Sequence, residues 1–191
     1  TIMRDKVGYE VTTYRIDGEY EDGRHPKEVE FTSNLLEDLK RRDFTINAMA
    51  YNPKEGLVDA FEGIQDLKEK RIRCVGNALE RFTEDALRIL RAIRFSAQLG
   101  FSIEESTWEA IKVIAPNLIH VSKERIQVEL TKLLLSNHPD EIRKAFDREL
   151  DTRICADFPK INPAQIAIDP GLPKEKHMRW AALLRHQTPE E

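Results

Sequence analysis

Apolar and polar positions change rhythm once along this chain, near Gly76. Before it the pattern is short and strand-like. Tyr9 to Arg15 is rich in β-branched and aromatic residues with partial alternation, which predicts a strand. Glu28 to Thr32 alternates again and predicts its partner, with a mobile polar loop from Gly18 to Pro26 between them. Leu35 to Leu39 suits a short helix. Asp43 to Tyr51 fits a helix or a strand, and Gly56 to Ala60 and Arg71 to Val75 read as short strands around Gly63 and Asp66.

After Gly76 the period becomes helical. Thr83 reads as an N-cap with Glu84 and Asp85 in the first turn, Leu87, Leu90, Ile93 and Ala97 recur at helical spacing, and Gly100 supplies the stop. A second helix is expected from Ser102 to before Pro116, a third over Lys123 to Leu135 behind Ser122, and a fourth from Pro139 to about Leu150. Asp151 to Pro173 is Pro-rich and irregular, and Lys174 to His186 predicts a last helix carrying Trp180. The fold class is α+β: a mixed or antiparallel sheet to about Gly76, then helices.

Composition narrows the function. The 191 residues allow one large domain or two to three small ones, and an apolar fraction of 40% is enough for a core. The net charge of −4 means that any grip on nucleic acid must come from a local basic patch. Cys74 and Cys155 lie far apart outside any C-x-x-C pattern, which argues against a structural zinc site and for a reducing compartment, the cytoplasm. No apolar run approaches transmembrane length, and the N-terminus does not read as a signal peptide, so no membrane role is expected. The five histidines show no zinc-protease spacing and no P-loop motif occurs.

Two clusters carry candidate chemistry. In Glu84-Asp85-Ala86-Leu87-Arg88, Asp85 and Arg88 are three apart and are expected on one helix face. Cytosine and adenine both present an exocyclic amine beside a ring-nitrogen acceptor. A carboxylate accepting from the amine next to an arginine donating to the ring nitrogen therefore favours C and A over U and G. The plain alternative is a first-turn acid and an ordinary ion pair. Arg88, Arg91 and Arg94 form a drifting stripe that suits a triphosphate, or else a solvated charged face. In Arg41-Arg42-Asp43-Phe44-Thr45-Ile46-Asn47-Ala48, adjacent arginines diverge, so one of them faces a ligand. Asn47 suits a sugar hydroxyl, or else Asp43 and Asn47 brace a turn. Glu10, on the predicted strand, is a candidate metal-site carboxylate or an exposed residue. Asp59, Gly63 and Asp66 read as a hinge or structural connector.

Taken in order, these motifs resemble those of bacterial-type tRNA CCA-adding nucleotidyltransferases and poly(A) polymerases, the class II branch of the DNA polymerase beta superfamily. Arg41 to Ala48 looks like their ribose-recognition motif, Asp59 to Asp66 like the head-to-neck hinge, and Glu84 to Arg88 like the base-templating motif. Ser122 to Leu135, with Glu124-Arg125, Glu129 and Lys132, looks like the neck helix that braces it. The match covers about Tyr9 to Leu135.

The resemblance implies a partial nucleotidyltransferase head over residues 1–76, a helical neck over 77–138 and the start of a helical body over 139–191. It implies that Arg42 contacts the nucleotide's sugar or phosphate, that Asp85 and Arg88 template CTP and then ATP, and that Arg91 and Arg94 hold the triphosphate. Asp43, Asn47, Glu84, Arg125 and Glu129 would support them, and the polar stretch Asp17 to Lys27 would match the family's flexible loop. The acceptor would be a tRNA 3′ end. The family's Gly-rich segment and its Asp-x-Asp pair, which holds two magnesium ions, are not in this sequence; Arg4-Asp5 lies too near the Tyr9 strand to stand for the former. Glu10 is carried only as a candidate catalytic residue. The expectation is a partial chain that keeps the base-reading residues and lacks the Mg2+ chemistry on its own. The alternatives are a bacterial poly(A) polymerase, and a non-catalytic or split RNA- or nucleotide-binding module.

Overall fold

The computed structural model describes residues 1–18, 29–143, 162, 164 and 166–187. Its strands are short and paired two by two. The ladders β1 (Ile2–Arg4) with β2 (Val7–Tyr9), β3 (Arg15–Asp17) with β4 (Val29–Phe31), and β5 (Ala50–Asn52) with β6 (Gly56–Val58) are antiparallel. The fourth, β7 (Arg71–Ile72) with β8 (Ser102–Ile103), is parallel. The continuous strand expected from Tyr9 to Arg15 does not form: β2 ends at Tyr9 and β3 begins at Arg15. Residues 10–14 are exposed, so their partial alternation has no face to bury and no ladder to join. The strand expected over Glu28 to Thr32 is present as β4, and it pairs with β3. The loop expected from Gly18 to Pro26 lies almost wholly outside the described residues.

Helix α1 (Leu35–Lys40) starts at Asn34, whose side chain accepts from the Leu36 N–H. The ambiguous stretch after Asp43 resolves into a bridge at Phe44 to Cys74, a 3-10 turn over Thr45–Asn47, and then β5. Helix α2 (Gly63–Lys68) occupies the expected connector. Asp59 takes the N–H groups of Gly63 (2.7 Å) and Ile64 (2.9 Å) at its start. Gly63 passes so close to the 3-10 turn that a Cβ would stand 2.4 Å from the Thr45 carbonyl oxygen.

The helical half departs from expectation at its first step. Asn77, not Thr83, is the N-cap: its side chain accepts from Leu79 and Glu80, and α3 (Ala78–Glu84) runs straight through Thr83. Thr83 Oγ1 instead bonds back to the Leu79 carbonyl (2.8 Å). The chain breaks at Asp85, in extended backbone (φ −150°, ψ 101°), and α4 (Leu87–Leu99) starts beyond it. The Gly100 stop is as expected, at φ 68°. Ser102 does not start a helix, because residues 102–103 pair with β7 and the Glu104 carboxylate caps α5 (Glu105–Ile114) by accepting from Thr107 N–H (2.8 Å). Helix α6 (Lys123–Leu134) follows Ser122. Pro139–Ile142 is a 3-10 turn, and the expected fourth helix beyond Arg143 lies outside the described residues, as does most of the Pro-rich stretch. The last helix, α7 (Lys176–Leu184), docks on α6 through Trp180 Nε1, which donates to Thr131 Oγ1 (3.0 Å).

Helix α4 is the centre of the molecule. Leu87, Leu90, Ile93 and Ala97 are buried as their spacing predicts, and so are Ile89 and Ala92 on its flanks. The core around it takes Phe44, Ile72 and Cys74 from the strand half and Phe82, Ile111, Leu130 and Leu133 from the helices. Each fully buried aliphatic chain contributes about 1.5–3 kcal/mol. Burial on both sides of Gly76 thus locks the strand half to α4.

Candidate nucleotide site

The break between α3 and α4 decides where Asp85 points. Asp85 and Arg88 do not lie side by side on one helix, because Asp85 sits outside α4. Its Oδ1 accepts from the Leu87 N–H (3.1 Å), and its Oδ2 accepts from Arg125 Nη2 of α6 (2.7 Å). Arg88 is anchored elsewhere. Its Nη1 donates to Glu84 Oε2 (2.6 Å) and the Arg81 carbonyl (3.0 Å), and its Nη2 donates to the Arg41 carbonyl at the end of α1 (3.1 Å). Glu84 also binds Arg81, which reaches the Lys40 carbonyl (3.2 Å). The carboxylate and the guanidinium are therefore held rigid without being spent on each other. Among the described residues, Arg88 keeps its Nε–H and one Nη2–H free.

The arginine stripe is not a solvated face. Arg88 is held as above. Arg91 crosses to the strand half, with Nε 2.7 Å and Nη2 2.5 Å from Asp43 Oδ2. Arg94 is 7% exposed and turns to α6, its Nε 2.5 Å from Glu129 Oε2 and its Nη1 2.8 Å from Gln98 Oε1. Burial lowers the Arg94 pKa, and the Glu129 carboxylate opposes that effect. The i,i+3 steps along α4 thus send three guanidiniums to three separate partner sets: Glu84 and two carbonyls, Asp43, and Glu129 with Gln98.

The Arg41-Arg42 pair converges instead of diverging. Both grip Asp38, which is 2% exposed: Arg41 Nη2 to Oδ1 at 2.7 Å and Arg42 Nη2 to Oδ2 at 3.2 Å. Burial by itself raises the Asp38 pKa, but hydrogen bonds from Arg41, the Arg15 backbone and Arg42 outweigh it and hold the carboxyl below its ordinary value. Arg42 Nη1 also donates to the Asn47 carbonyl (3.3 Å), and Asn47 Nδ2 donates to Asp43 Oδ1 (3.1 Å). Arg42, Asn47, Asp43 and Arg91 thus form one hydrogen-bonded row from α1 to α4. Glu10 is exposed, past the end of β2. Among the described residues no group of three or more His, Cys, Asp or Glu side chains gathers as a metal set.

Asp38, Lys40, Arg71 and Arg73, to which the sequence reading gave no role, complete the site beside residues it did name. A pocket of about 210 Å³ opens between β3, the end of α1 and α3, lined by Ile16, Asp17, Lys40, Arg41, Arg81 and Glu84. The i,i+3 spacing of Asp38 and Arg41 was a usable signal for their ion pair. Asp66 is fully buried. It accepts from Thr45 Oγ1 (2.6 Å), Arg71 Nε (2.8 Å) and Arg73 Nε (2.8 Å), and so fixes the 3-10 turn that carries Asn47.

Comparison with known proteins agrees with this arrangement. Residues 1–73 match the family described as the poly A polymerase head domain, and residues 100–150 match a probable RNA- and SrmB-binding site of polymerase A. The CCA-adding enzyme of Oceanobacillus iheyensis is 56% identical over 147 residues, which cover 76% of this chain and 37% of that protein. The crystal structure of the Bacillus stearothermophilus CCA-adding enzyme in complex with CTP superposes with a TM-score of 0.82 at 33% identity, covering 96% of this chain and 45% of that one. The Thermotoga maritima CCA-adding enzyme complexed with tRNA gives 0.66 at 30% identity, covering 83% and 43%. The chain thus spans less than half the length of these relatives. On these family matches, identities and superpositions, the chain belongs to the CCA-adding enzyme and poly(A) polymerase family of nucleotidyltransferases.

Proposed function

We propose that this chain is the nucleotide-selecting portion of a cytoplasmic tRNA nucleotidyltransferase that adds C, C and A to tRNA 3′ ends from CTP and ATP. The observation that carries the reading is the separate anchoring of Asp85 and Arg88. Asp85, held by Arg125, accepts the exocyclic amine of cytosine or adenine. Arg88, held by Glu84 and two carbonyls, donates its remaining N–H groups to the neighbouring ring nitrogen. Uracil and guanine present the reverse order and leave both protein groups unmatched, at about 1–3 kcal/mol.

Around the base reader, Arg42 and Asn47 face the sugar. Arg91 takes the triphosphate, exchanging Asp43 for phosphate oxygens. The buried Arg94 supports the triphosphate site chiefly through its hold on α6. Residues 1–76 act as head, 77–138 as neck and 139–191 as the start of a body. Two-metal nucleotidyl transfer uses Mg2+ to activate the 3′-hydroxyl and to neutralise pyrophosphate. The described residues of this chain do not gather three or more His, Cys, Asp or Glu side chains to hold it. Glu10 stays a candidate only for the complete protein.

The test is nucleotide incorporation onto tRNA lacking its 3′ end, by the full-length gene product. CTP and ATP are both incorporated if the reading is right, and ATP alone marks a poly(A) polymerase. Asp85→Ala and Arg88→Ala each reduce discrimination against UTP by roughly 5- to 150-fold. Unchanged discrimination in both variants overturns the templating role.

A further inference from the structure

Phe95, one turn beyond Arg91 and next to Arg94, has no role in the chemistry above. Its ring nevertheless meets Phe44 of the strand half and two guanidiniums of α4. The edge of Phe44 meets it at 5.8 Å between centroids and 83° between planes, and Phe44 is itself fully buried beside Asp43. The Arg94 guanidinium carbon stands 3.9 Å from the Phe95 centroid, and that of Arg91 stands 5.4 Å from it. Both lie within the range in which a ring quadrupole attracts a cation. Two guanidiniums three residues apart repel each other, and that repulsion adds to the lowering of the Arg94 pKa. A ring that attracts both offsets the repulsion and fixes each cation in place. Arg94 is then committed to Glu129, and Arg91 is left aimed across the junction at Asp43.

We propose that Phe95 is a positioning residue that orients Arg91 for the triphosphate. The inference rests on the reading of Arg91 given above. It makes a specific division: Phe95 acts on phosphate binding and not on base choice, because Asp85 and Arg88 are anchored by Arg125, Glu84 and carbonyls that Phe95 does not supply.

The experiment measures equilibrium affinity of the full-length protein for CTP, ATP, UTP and cytidine by calorimetry, with a melting curve for each variant. Phe95→Leu keeps an apolar side chain of similar reach and removes the quadrupole, and Phe95→Tyr keeps the ring. Phe95→Leu is expected to weaken CTP and ATP about fivefold and equally. Its affinity for cytidine and its preference for CTP over UTP stay at wild type, and Phe95→Tyr restores CTP affinity. Wild-type CTP affinity in Phe95→Leu, or a loss of CTP-over-UTP preference, overturns the inference. Arg91→Ala separates the two layers. If it weakens CTP while Phe95→Leu does not, the positioning role fails and the reading of Arg91 stands; if neither variant weakens CTP, both fail. Should Phe95→Leu melt early, Phe95→Met supplies the same comparison.

Discussion

Arg125 Nη2 lies 2.7 Å from Asp85 Oδ2, joining α6 to the break before α4 across 40 residues of sequence. The contact orients the carboxylate proposed to read an exocyclic amine, and both side chains are mostly covered, at 23% and 16% exposure. Arg125→Ala leaves that carboxylate with only the Leu87 N–H. Discrimination between CTP and UTP, read as the ratio of kcat/KM on a tRNA acceptor, is expected to fall about tenfold, the equivalent of roughly 1–2 kcal/mol.

The Arg94–Glu129 pair answers to a different measurement. Both groups are buried, at 7% and 4% exposure, so removing one charge strands the other. Glu129→Gln is expected to destabilise the fold by about 3–5 kcal/mol in denaturant unfolding. The exposed Lys112–Glu109 pair on α5 is a control: Glu109→Gln costs less than about 1 kcal/mol.

Acid stability centres on Asp66. Burial raises its pKa, but hydrogen bonds from Thr45, Arg71 and Arg73 outweigh that and hold it below its ordinary value. A carboxyl depressed in the folded state binds fewer protons there than in the unfolded chain. Its contribution is therefore complete above the unfolded pKa near about 4, and is lost as pH falls through the lower folded value. Asp66→Asn is expected to lower stability at neutral pH and to flatten the decline of stability with pH below about 4, measured by denaturant unfolding across that range.

Cys74 is 2% exposed, and burial pushes its thiol up to about 12. It is expected to resist alkylation at pH 8 in the folded Cys155→Ser variant and to react once denaturant unfolds the chain. Native-state labelling at the unfolded rate would show that the junction between the strand half and α4 opens freely.

How much of this could be read from the chain follows from the range of each interaction. The buried stripe of Leu87, Leu90, Ile93 and Ala97 and the Gly100 stop are set within one helix, and they are where the periodicity put them. The order of the motifs identified the family because each motif is a contiguous string. Thr83 misled because it carries the local signature of a cap, while Asn77 six residues earlier had already started the helix. A local signal did separate the two: Asn77 is the stronger cap type and has Glu80 three residues on, whereas Thr83 has Ala86 there.

The residue types of the site were thus determined by sequence alone: two arginines and an aspartate after α1, and a Glu-Asp pair with three arginines around α4. Only the tertiary structure decided their partners. A charge in a sequence has a sign and no address, so Asp85 could have paired with Arg88 as well as with Arg125, and Arg91 with Glu84 as well as with Asp43. Burial settles it. Once α4 packs between the strand half and α6, each covered guanidinium must take the carboxylate or carbonyl brought beside it, because leaving a buried polar group unmatched costs more than any local preference gains.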